Sequence, residues 1–551
     1  RDVPARAAWQ AAFDNEVARR AGLTPVTTES GLPLRPLYTA DDLAGFDPER
    51  ELGYPGQPPY TRGPYASMYR ARPWTIRQVS GFGGGGEANE RLKFLLQAGQ
   101  TGLNIQLDAP THVGLDADDP RARGEVGRVG VSLSTLDDLD ALFRDLPLAE
   151  ISASYIATPV APILLAMHVA LAERRGVALD RLSGSFQNDG LREHLLGEAT
   201  GVFLPPRPTY KVALDVVEFC ARRLPRFNTA TFNGYCVRSW GGNATHELAI
   251  VLSLARSYLH GAVERGLGAD EVAPRLSIFM AVHRDFFEEV AKFRAARRLW
   301  ARMLRDEFGA TRATALRISV GTHGSVLTRQ QPLNNAVRVA YHVLAAVLGG
   351  VQSIFATCYD EGLGLPSEDA ERLAINTQHI VAEETGVPNV IDPLGGSYFV
   401  ESLTVQLEQA AAALMAEIET RGGIFGAIET GWLRQQISER ALAEYRATER
   451  GERVYVGLNR HEAGEPEAGE HVWQPSYDET AYEEQRCREL VAYKAGRFPE
   501  SAKAASSHTG AMAGEDAVYE AAFERAGIVR ILDSEDMFDC AELLARQRIP
   551  R

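Results

Sequence analysis

The chain has 551 residues, enough for several domains of ~100–200 residues or for one large barrel with additions. Forty-five per cent of its residues are apolar and 24% are charged, the balance of a globular protein with a sizeable core. Lys plus Arg total 58 against 73 for Asp plus Glu, a net charge of −15, which argues against a general binder of nucleic acid or anionic membranes. The five cysteines (Cys220, Cys236, Cys358, Cys487, Cys540) lie far apart with no CxxC pair, so neither a zinc knuckle nor a disulfide framework is expected. A cytoplasmic location fits them best. No apolar run reaches the ~20 residues needed to span a bilayer, and the first twenty residues are too charged for a signal peptide.

In chain order, residues 1–30 read as an amphipathic helix, with Trp9, Phe13 and Val17 at helical spacing, and a polar stretch. Residues 31–75 are rich in Pro, Gly and Tyr and read as an extended arm. From 76 to 420, strand-like runs alternate with helix-length segments. The strand candidates are Leu103–Asp108, Val131–Ser134, Glu150–Ala157, Leu182–Asp189, Thr229–Cys236, Arg275–His283, Ala315–Thr322 and Val351–Asp360. The helices between them include Val160–Arg175, Lys211–Arg223, Ala244–Arg265, Phe286–Phe308 and Asn334–Leu348. This pattern predicts an α/β fold, a (β/α)8 TIM barrel, with an open doubly wound sheet as the alternative. A helical segment and linker follow over 421–485, and a helix-rich tail over 486–551.

Barrel interiors are normally filled by Val, Ile and Leu. Here Ser152 and Ser154 alternate on one strand and Ser183 and Ser185 on another, with single Ser132, Ser277, Ser319 and Ser353 elsewhere. Alternate residues on a strand share a face. If that face is the inside, a slender polar molecule could thread the barrel; otherwise the serines meet the helices.

Chemistry in a barrel sits at the C-terminal ends of the strands. Reading those ends gives Asp108 and His112, then Gln187, Asn188 and Asp189, Tyr235 and Cys236, His283, Thr322 and His323, and Asp360 and Glu361. No HExxH, facial His/carboxylate set or paired Cys is present, so a protein-held catalytic metal is not expected. The glycine run 83–86 lacks the GK[ST] ending of a phosphate loop and reads as a turn.

The segment YTRGPYASMYRARPWTIRQ (60–78) resembles the CoA-binding lead-in of the large subunits of adenosylcobalamin-dependent acyl-CoA mutases. That family includes the methylmalonyl-CoA, isobutyryl-CoA and 2-hydroxyisobutyryl-CoA mutases. The likeness continues through AGQTGLNIQLDAPTH (98–112), FQND (186–189), PPRP (205–208), FNGY (232–235), AKFRAARRLW (291–300), PLNN (332–335), YDEGLGLP (359–366), NTQ (376–378) and VIDPLGGSYFVE (390–401). It implies an acyl-CoA-binding barrel with the pantetheine along its axis. It also implies a radical 1,2-shift started by homolysis of the cobalt–carbon bond of adenosylcobalamin. Tyr65, Met68, Arg72, Thr75 and Arg77 match the lead-in, Gln187 the glutamine beside the thioester, Tyr235 the tyrosine of a Gly-Tyr pair, and Glu361 the glutamate that holds the adenosyl ribose.

The departures from the family pattern bear on the substrate. Val79 stands where methylmalonyl-CoA mutase has a tyrosine against the cofactor. Gly197 stands where it has the arginine for the substrate carboxylate, and Cys236 where the family has histidine. Ser319, Gly321 and Ser325 replace His, Gln and Trp. Without the arginine, a buried substrate carboxylate would lack a charge partner, so a branched, non-dicarboxylic acyl-CoA is expected in a roomier pocket. Val79, Asn104, Gln106 and Gly197 are its candidate walls. His323, or His283, is the candidate to replace the lost histidine, making Tyr235, Gln187, Cys236 and His323 the candidate catalytic set.

None of the twelve histidines has an aspartate two positions earlier, so the family's cobalt-ligating DxHxxG loop is missing. The resemblance therefore implies a separate cobalamin-binding small subunit and a hetero-oligomer. The N-terminal helix and arm either wrap that subunit or pack on their own barrel. The tail segment 491–531 resembles a fragment of NDP-forming acyl-CoA synthetases, with His508 at the phosphohistidine position, and suggests such a synthetase as a partner. The competing reading is a degenerate, non-catalytic barrel that binds an acyl-CoA or a protein.

Overall fold

The computed structural model describes residues 3–18, 26–198, 204–312, 314–463 and 479–494. Eight parallel strands form the centre of these residues. Strand β1 runs in two parts, Thr75–Ile76 and Val79–Ser80; β2 is Leu103–Gln106, β3 Ser152–Ile156 and β4 Ser183–Phe186. Strand β5 is also interrupted, as Phe227–Asn228 and Ala230–Asn233; β6 is Leu276–Val282, β7 Ile318–Thr322 and β8 Ser353–Phe355. The first part of β1 pairs with β8 and the second with β2. The first part of β5 pairs with β4 and the second with β6. All other neighbours pair in sequence order. The two broken strands thus join both half-sheets, and the barrel closes.

The breaks are stitched by hydrogen bonds. At the first, the Gln78 amide donates to Ala356 O (2.8 Å) and accepts from Ala356 N (3.1 Å), standing in for the β1–β8 ladder. At the second, Thr229 N donates to Arg275 O (2.8 Å). A helix follows each strand, in order Gly85–Gln97, Leu136–Leu142, Ala161–Arg174, Pro206–Arg223, Ala244–Glu264, Phe286–Asp306, Leu333–Leu348 and Glu368–Glu383. Several begin where the sequence offers a capping oxygen: Thr135, Asn243, Asp285 and Ser367 each accept from a first-turn N–H.

One expected strand is not one. Val131–Ser134 touches the barrel through a single bridge, Leu107 to Val131, and Ser132 is buried outside the bore. Its place in the count of eight belongs to β1, whose TIRQVS sequence hides the alternation behind Arg77 and Gln78. The other strand expectations and the helices named between them coincide with observed elements, most to within a few residues; of the expected helix-rich tail, residues 495–551 lie outside the described residues.

Apolar packing lies between strands and helices. On β3, Ala153 and Tyr155 are buried in that layer, while Ser152, Ser154 and Ile156 face the other way and remain partly accessible. On β4, Phe186 is buried and Ser183 and Ser185 face inward. The interior is therefore polar and open to solvent.

The arm packs on its own barrel. Arg297 donates to Tyr60 O (2.8 Å) and Thr61 O (2.9 Å), Arg298 pairs with Glu51, and Trp74 Nε1 donates to Gln378 (3.0 Å). The N-terminal helix Val3–Ala18 keeps Trp9, Phe13 and Val17 half-buried, the first two rings stacked at 5.4 Å. Glycines 84 and 85 serve packing. A Cβ on Gly84 would lie 2.4 Å from the Tyr482 hydroxyl, carried on helix Glu479–Lys494, and one on Gly85 2.2 Å from Asp138 O. Among the described residues no helix is long and apolar enough to cross a membrane.

Beside β6, Lys292 is fully buried and donates to Glu247 Oε2 (2.7 Å), Ala281 O (2.8 Å) and Glu289. Lys292→Met leaves buried Glu247 without its paired cation and Glu289 with Arg238 alone, at 3.5 Å. Urea denaturation is expected to find a loss of about 3–5 kcal/mol.

Candidate active site

The bore is a stack of small polar pairs set by strand register. Ser154 lies between Asn104 and Ser185, and the Ser185 hydroxyl donates to Ser154 Oγ (2.8 Å). Thr231 and Ser277 meet at 2.9 Å, and Ser319 faces Ser353, which faces Thr75. Near the N-terminal end, Arg77 reaches across two strands. Its guanidinium donates to Leu103 O (2.6 Å), Ser152 O (3.3 Å) and Ser152 Oγ (2.9 Å), and burial lowers its pKa to about 10.

At that same end a small pocket is lined by Thr61, Arg62, Met68, Tyr69, Arg297 and residues of the segment 387–393. Met68 is buried with φ +38°, its sulfur in the space beside Gly63. Tyr65 and Arg72 are exposed on the rim, as is Arg70. The lead-in residues thus divide: Met68, Thr75 and Arg77 face inward, and Tyr65 and Arg72 face solvent.

At the C-terminal mouth, Tyr235 is stacked between Phe279 (5.7 Å) and His323 (4.1 Å). Its hydroxyl accepts from Gly324 N (2.9 Å), and burial raises its pKa. A Cβ on Gly324 would lie 3.4 Å from that hydroxyl and 3.5 Å from the Glu361 carboxylate, so Gly324 leaves a notch between the two. The Glu361 carboxyl is pushed up to about 7 by desolvation and then by Asp360. Gln187 accepts from Asn233 Nδ2 (3.2 Å), and Asn233 Oδ1 accepts from Cys236 N (3.1 Å). Burial pushes the Cys236 thiol up to about 12, so it stays neutral. His323 is held neutral, its pKa well below the ordinary value, by burial and then by His283 and Arg238.

A buried ion cluster flanks Cys236. Arg192 donates to Asp189 (3.0 Å) and to Glu193 and Glu198, so three carboxylates share one guanidinium. Burial and this crowding raise Glu193 to about 8, whereas Arg192 holds Glu198 down against its own burial. Glu198 also accepts from Trp240 Nε1 (2.7 Å), and His112 Nε2 is 3.9 Å from Glu193.

Several strand-end groups serve the scaffold. Asp108 caps Ala109–His112 and accepts from Gly127 N, Asn188 donates to Ala213 O and Thr229 O, and Asp360 accepts from Ser367. Val79 and Gln106 face the bore near the mouth. Gly197 ends helix Gly190–Leu196 in the left-handed region (φ +79°), where a Cβ would meet Arg434 at 2.5 Å. That conformation alone calls for glycine. A Cβ on Gly321 would meet Phe279, Phe355 and Tyr235 at 3.0–3.1 Å, so aromatic rings already fill its space. Sequence reading missed Asn233, Phe279, Phe355 and the Arg192 cluster. Their signal is register with residues it had singled out.

The family model described as methylmalonyl-CoA mutase matches residues 27–533. The chain is 41% identical over 463 residues to the 2-hydroxyisobutanoyl-CoA mutase large subunit of Aquincola tertiaricarbonis, covering 84% of this chain and 82% of the relative. It is 41% identical over 458 residues to the methylmalonyl-CoA mutase of Cereibacter sphaeroides and 40% identical over 459 residues to that of Escherichia coli. Those matches cover 82% of this chain but only 64% and 63% of the two relatives. Most of the synthetase-like stretch 491–531, His508 included, lies outside the described residues, and the family match spans it.

A carboxyl raised in the folded state binds its proton more tightly there than in the unfolded chain. Glu193 should therefore make stability fall as pH rises from about 4.5 to about 8. Glu193→Gln should flatten that slope and leave the variant the more stable protein at pH 9. Urea midpoints measured across this range check it; parallel curves would mean that Glu193 ionises normally.

Proposed function

The chain belongs to the methylmalonyl-CoA mutase family, and on that premise we propose that it is the substrate-binding subunit of an adenosylcobalamin-dependent acyl-CoA mutase. In this reading it rearranges the carbon skeleton of a branched, non-dicarboxylic acyl-CoA by a 1,2-shift of the thioester group. The observation that carries it is the polar bore, since a closed barrel lined by serines suits a narrow hydrogen-bonding chain such as pantetheine better than a packed apolar core. The arginines at the N-terminal end (Arg62, Arg70, Arg72) would meet the CoA phosphates.

The thioester would then lie at Gln187. Its Oε1 is engaged by Asn233, which leaves its N–H groups for the thioester carbonyl. Tyr235, Phe279 and Phe355 would shield the reacting carbons from water. The nearby guanidinium of Arg192 is already committed to three carboxylates, so a second carboxylate on the acyl group would meet net negative charge. This supports the non-dicarboxylic reading without any appeal to Gly197.

Adenosylcobalamin, when bound, supplies the radical that exchanges a hydrogen atom with the acyl group. The notch at Gly324, between the Tyr235 hydroxyl and the Glu361 carboxylate, fits a group bearing hydroxyls such as the adenosyl ribose. The cobalamin itself we assign to a separate small subunit. Free thiols at Cys220, Cys236, Cys358 and Cys487 suit a cytoplasmic enzyme.

Two measurements test this. Mixed with a cobalamin-binding small subunit and adenosylcobalamin, the chain should isomerise at least one branched monocarboxylic acyl-CoA from a panel and none of its dicarboxylic counterparts. Substrate and product have equal mass, so chromatographic separation of the hydrolysed acids against authentic standards reads this out. Tight binding with no isomerised product would favour the non-catalytic barrel. Ser154→Leu should fill the bore and weaken CoA-ester binding about tenfold or more, a loss of ~1.4 kcal/mol, read by calorimetry. A variant with unchanged affinity would put the ester elsewhere.

A further inference from the structure

Glu29 belongs to the polar stretch that opens the arm, far ahead of the first barrel strand in sequence, yet its carboxylate is buried at the mouth. It accepts from Arg238 (2.8 Å) and from Arg284, and contacts His283 Nδ1 at 2.7 Å. Its backbone is clamped as well. Glu29 N donates to Asp285 (3.3 Å), Ser30 N donates to Glu288 (3.0 Å), and Arg440 donates to Glu29 O (3.0 Å). Against the upward push of burial, His283, Arg238 and Arg284 hold its carboxyl well below the usual range. Two arginines would suffice to compensate one carboxylate, so the histidine contact is an addition, and it leads into the mouth.

His283 follows directly on β6. Its Nε2 lies 3.5 Å from Ser325 Oγ, the outer limit of a hydrogen bond. Ser325 Oγ is 2.7 Å from His323 Nδ1. His323 Nδ1 accepts from the Ser325 N–H (3.2 Å), which can only donate, so the hydrogen of the neutral ring sits on Nε2, facing the Tyr235 carbonyl (3.2 Å) and the Ser239 hydroxyl (3.1 Å). Nδ1 accepts from the Ser325 hydroxyl as well. His283 Nδ1 faces an ionised carboxylate and carries hydrogen in its turn. The contacts run from Glu29 through His283 and Ser325 to the ring stacked on Tyr235; because Ser325 gives its one hydroxyl hydrogen to His323, they form a continuous hydrogen-bond chain when His283 Nε2 also carries hydrogen.

We propose that Glu29 is a positioning residue of the reaction site, delivered by the arm, which acts through His283 and Ser325 to fix the orientation of His323 against Tyr235. Protonating His283 gives its Nε2 a hydrogen to offer Ser325, which tightens the relay; the neutral ring loosens it. The groups facing His283 are Glu29 from the arm, Arg238 from the helix after β5, Arg284 and Glu289 from the segment after β6, His323 at the end of β7, and His342 from the helix after β7. Burial lowers the His283 pKa and Glu29 opposes that. The relay itself does not depend on the mutase reading; its effect on turnover does.

The test uses the full chain carrying 15N-labelled histidine, without substrate or cofactor. Long-range 15N–1H spectra across pH report each ring's tautomer and titration. The expected result is hydrogen on Nδ1 of His283 and on Nε2 of His323 at neutral pH. Glu29→Gln should lower the His283 pKa by about one unit, the scale of a lost neighbouring charge. Ser325 is exposed, so Ser325→Ala should fold normally and weaken the response of the His323 ring signals to the His283 titration; it decides the matter if Glu29→Gln does not fold. An unmoved His283 titration in Glu29→Gln, or His323 signals that follow the His283 titration as strongly in Ser325→Ala as in the parent chain, overturns the proposal. In the reconstituted mutase each variant should lower kcat about tenfold with KM unchanged. The double variant should be no worse than either alone, because the two act through one chain. Multiplying losses overturn the proposal, whereas a failed mutase reading would leave the spectra as expected.

Discussion

Closing eight parallel strands leaves an interior just wide enough for their own side chains. What those inward positions carry decides what the protein can be. Here they carry Ser152, Ser154, Ser183, Ser185, Thr231, Ser277, Ser319 and Ser353 in register. Small hydroxyls cannot fill the interior as Val or Leu would, so the axis stays hydrated and the apolar packing moves to the layer between strands and helices. Stability and function are thereby separated in space. The helices pay no heed to the bore, and the bore can be shaped for a ligand.

The mouth follows from the same separation. With the core elsewhere, the C-terminal strand ends hold charges that the surrounding elements must satisfy. Arg192 gathers three carboxylates, Lys292 bridges two, and Glu29 comes in from the arm to meet Arg238 and His283. The Arg192 cluster is local in sequence, whereas Lys292 and Glu29 meet partners from distant parts of the chain. This explains why the arm and helix Trp432–Glu449 belong to the working unit, since Glu444 and Arg440 of that helix join the ties around Glu29.

Much of this was legible in the sequence. The long helices and most strands announce themselves by periodicity, and the paired serines at alternate positions raise a polar interior as one of two readings. What was not legible has physical reasons. Strand β1 is too short and too polar to show alternation, and its break is stitched by the Gln78 side chain. Val131 mimics a strand because its single bridge lies in an apolar run. Gly197 suggested a vacated pocket, but its left-handed backbone gives it a local reason to be glycine. Glu29 was invisible because its partners Arg238 and His283 lie far along the chain, and nothing local marks it.

If the bore holds the pantetheine arm, a crystal structure of the full chain with a CoA thioester will show it. An extended pantetheine is expected between the Ser154–Ser185 and Thr231–Ser277 walls, with phosphates at the Arg62 end and the thioester beside Gln187. An ester bound across the outer loops, with the bore left to water, would contradict it.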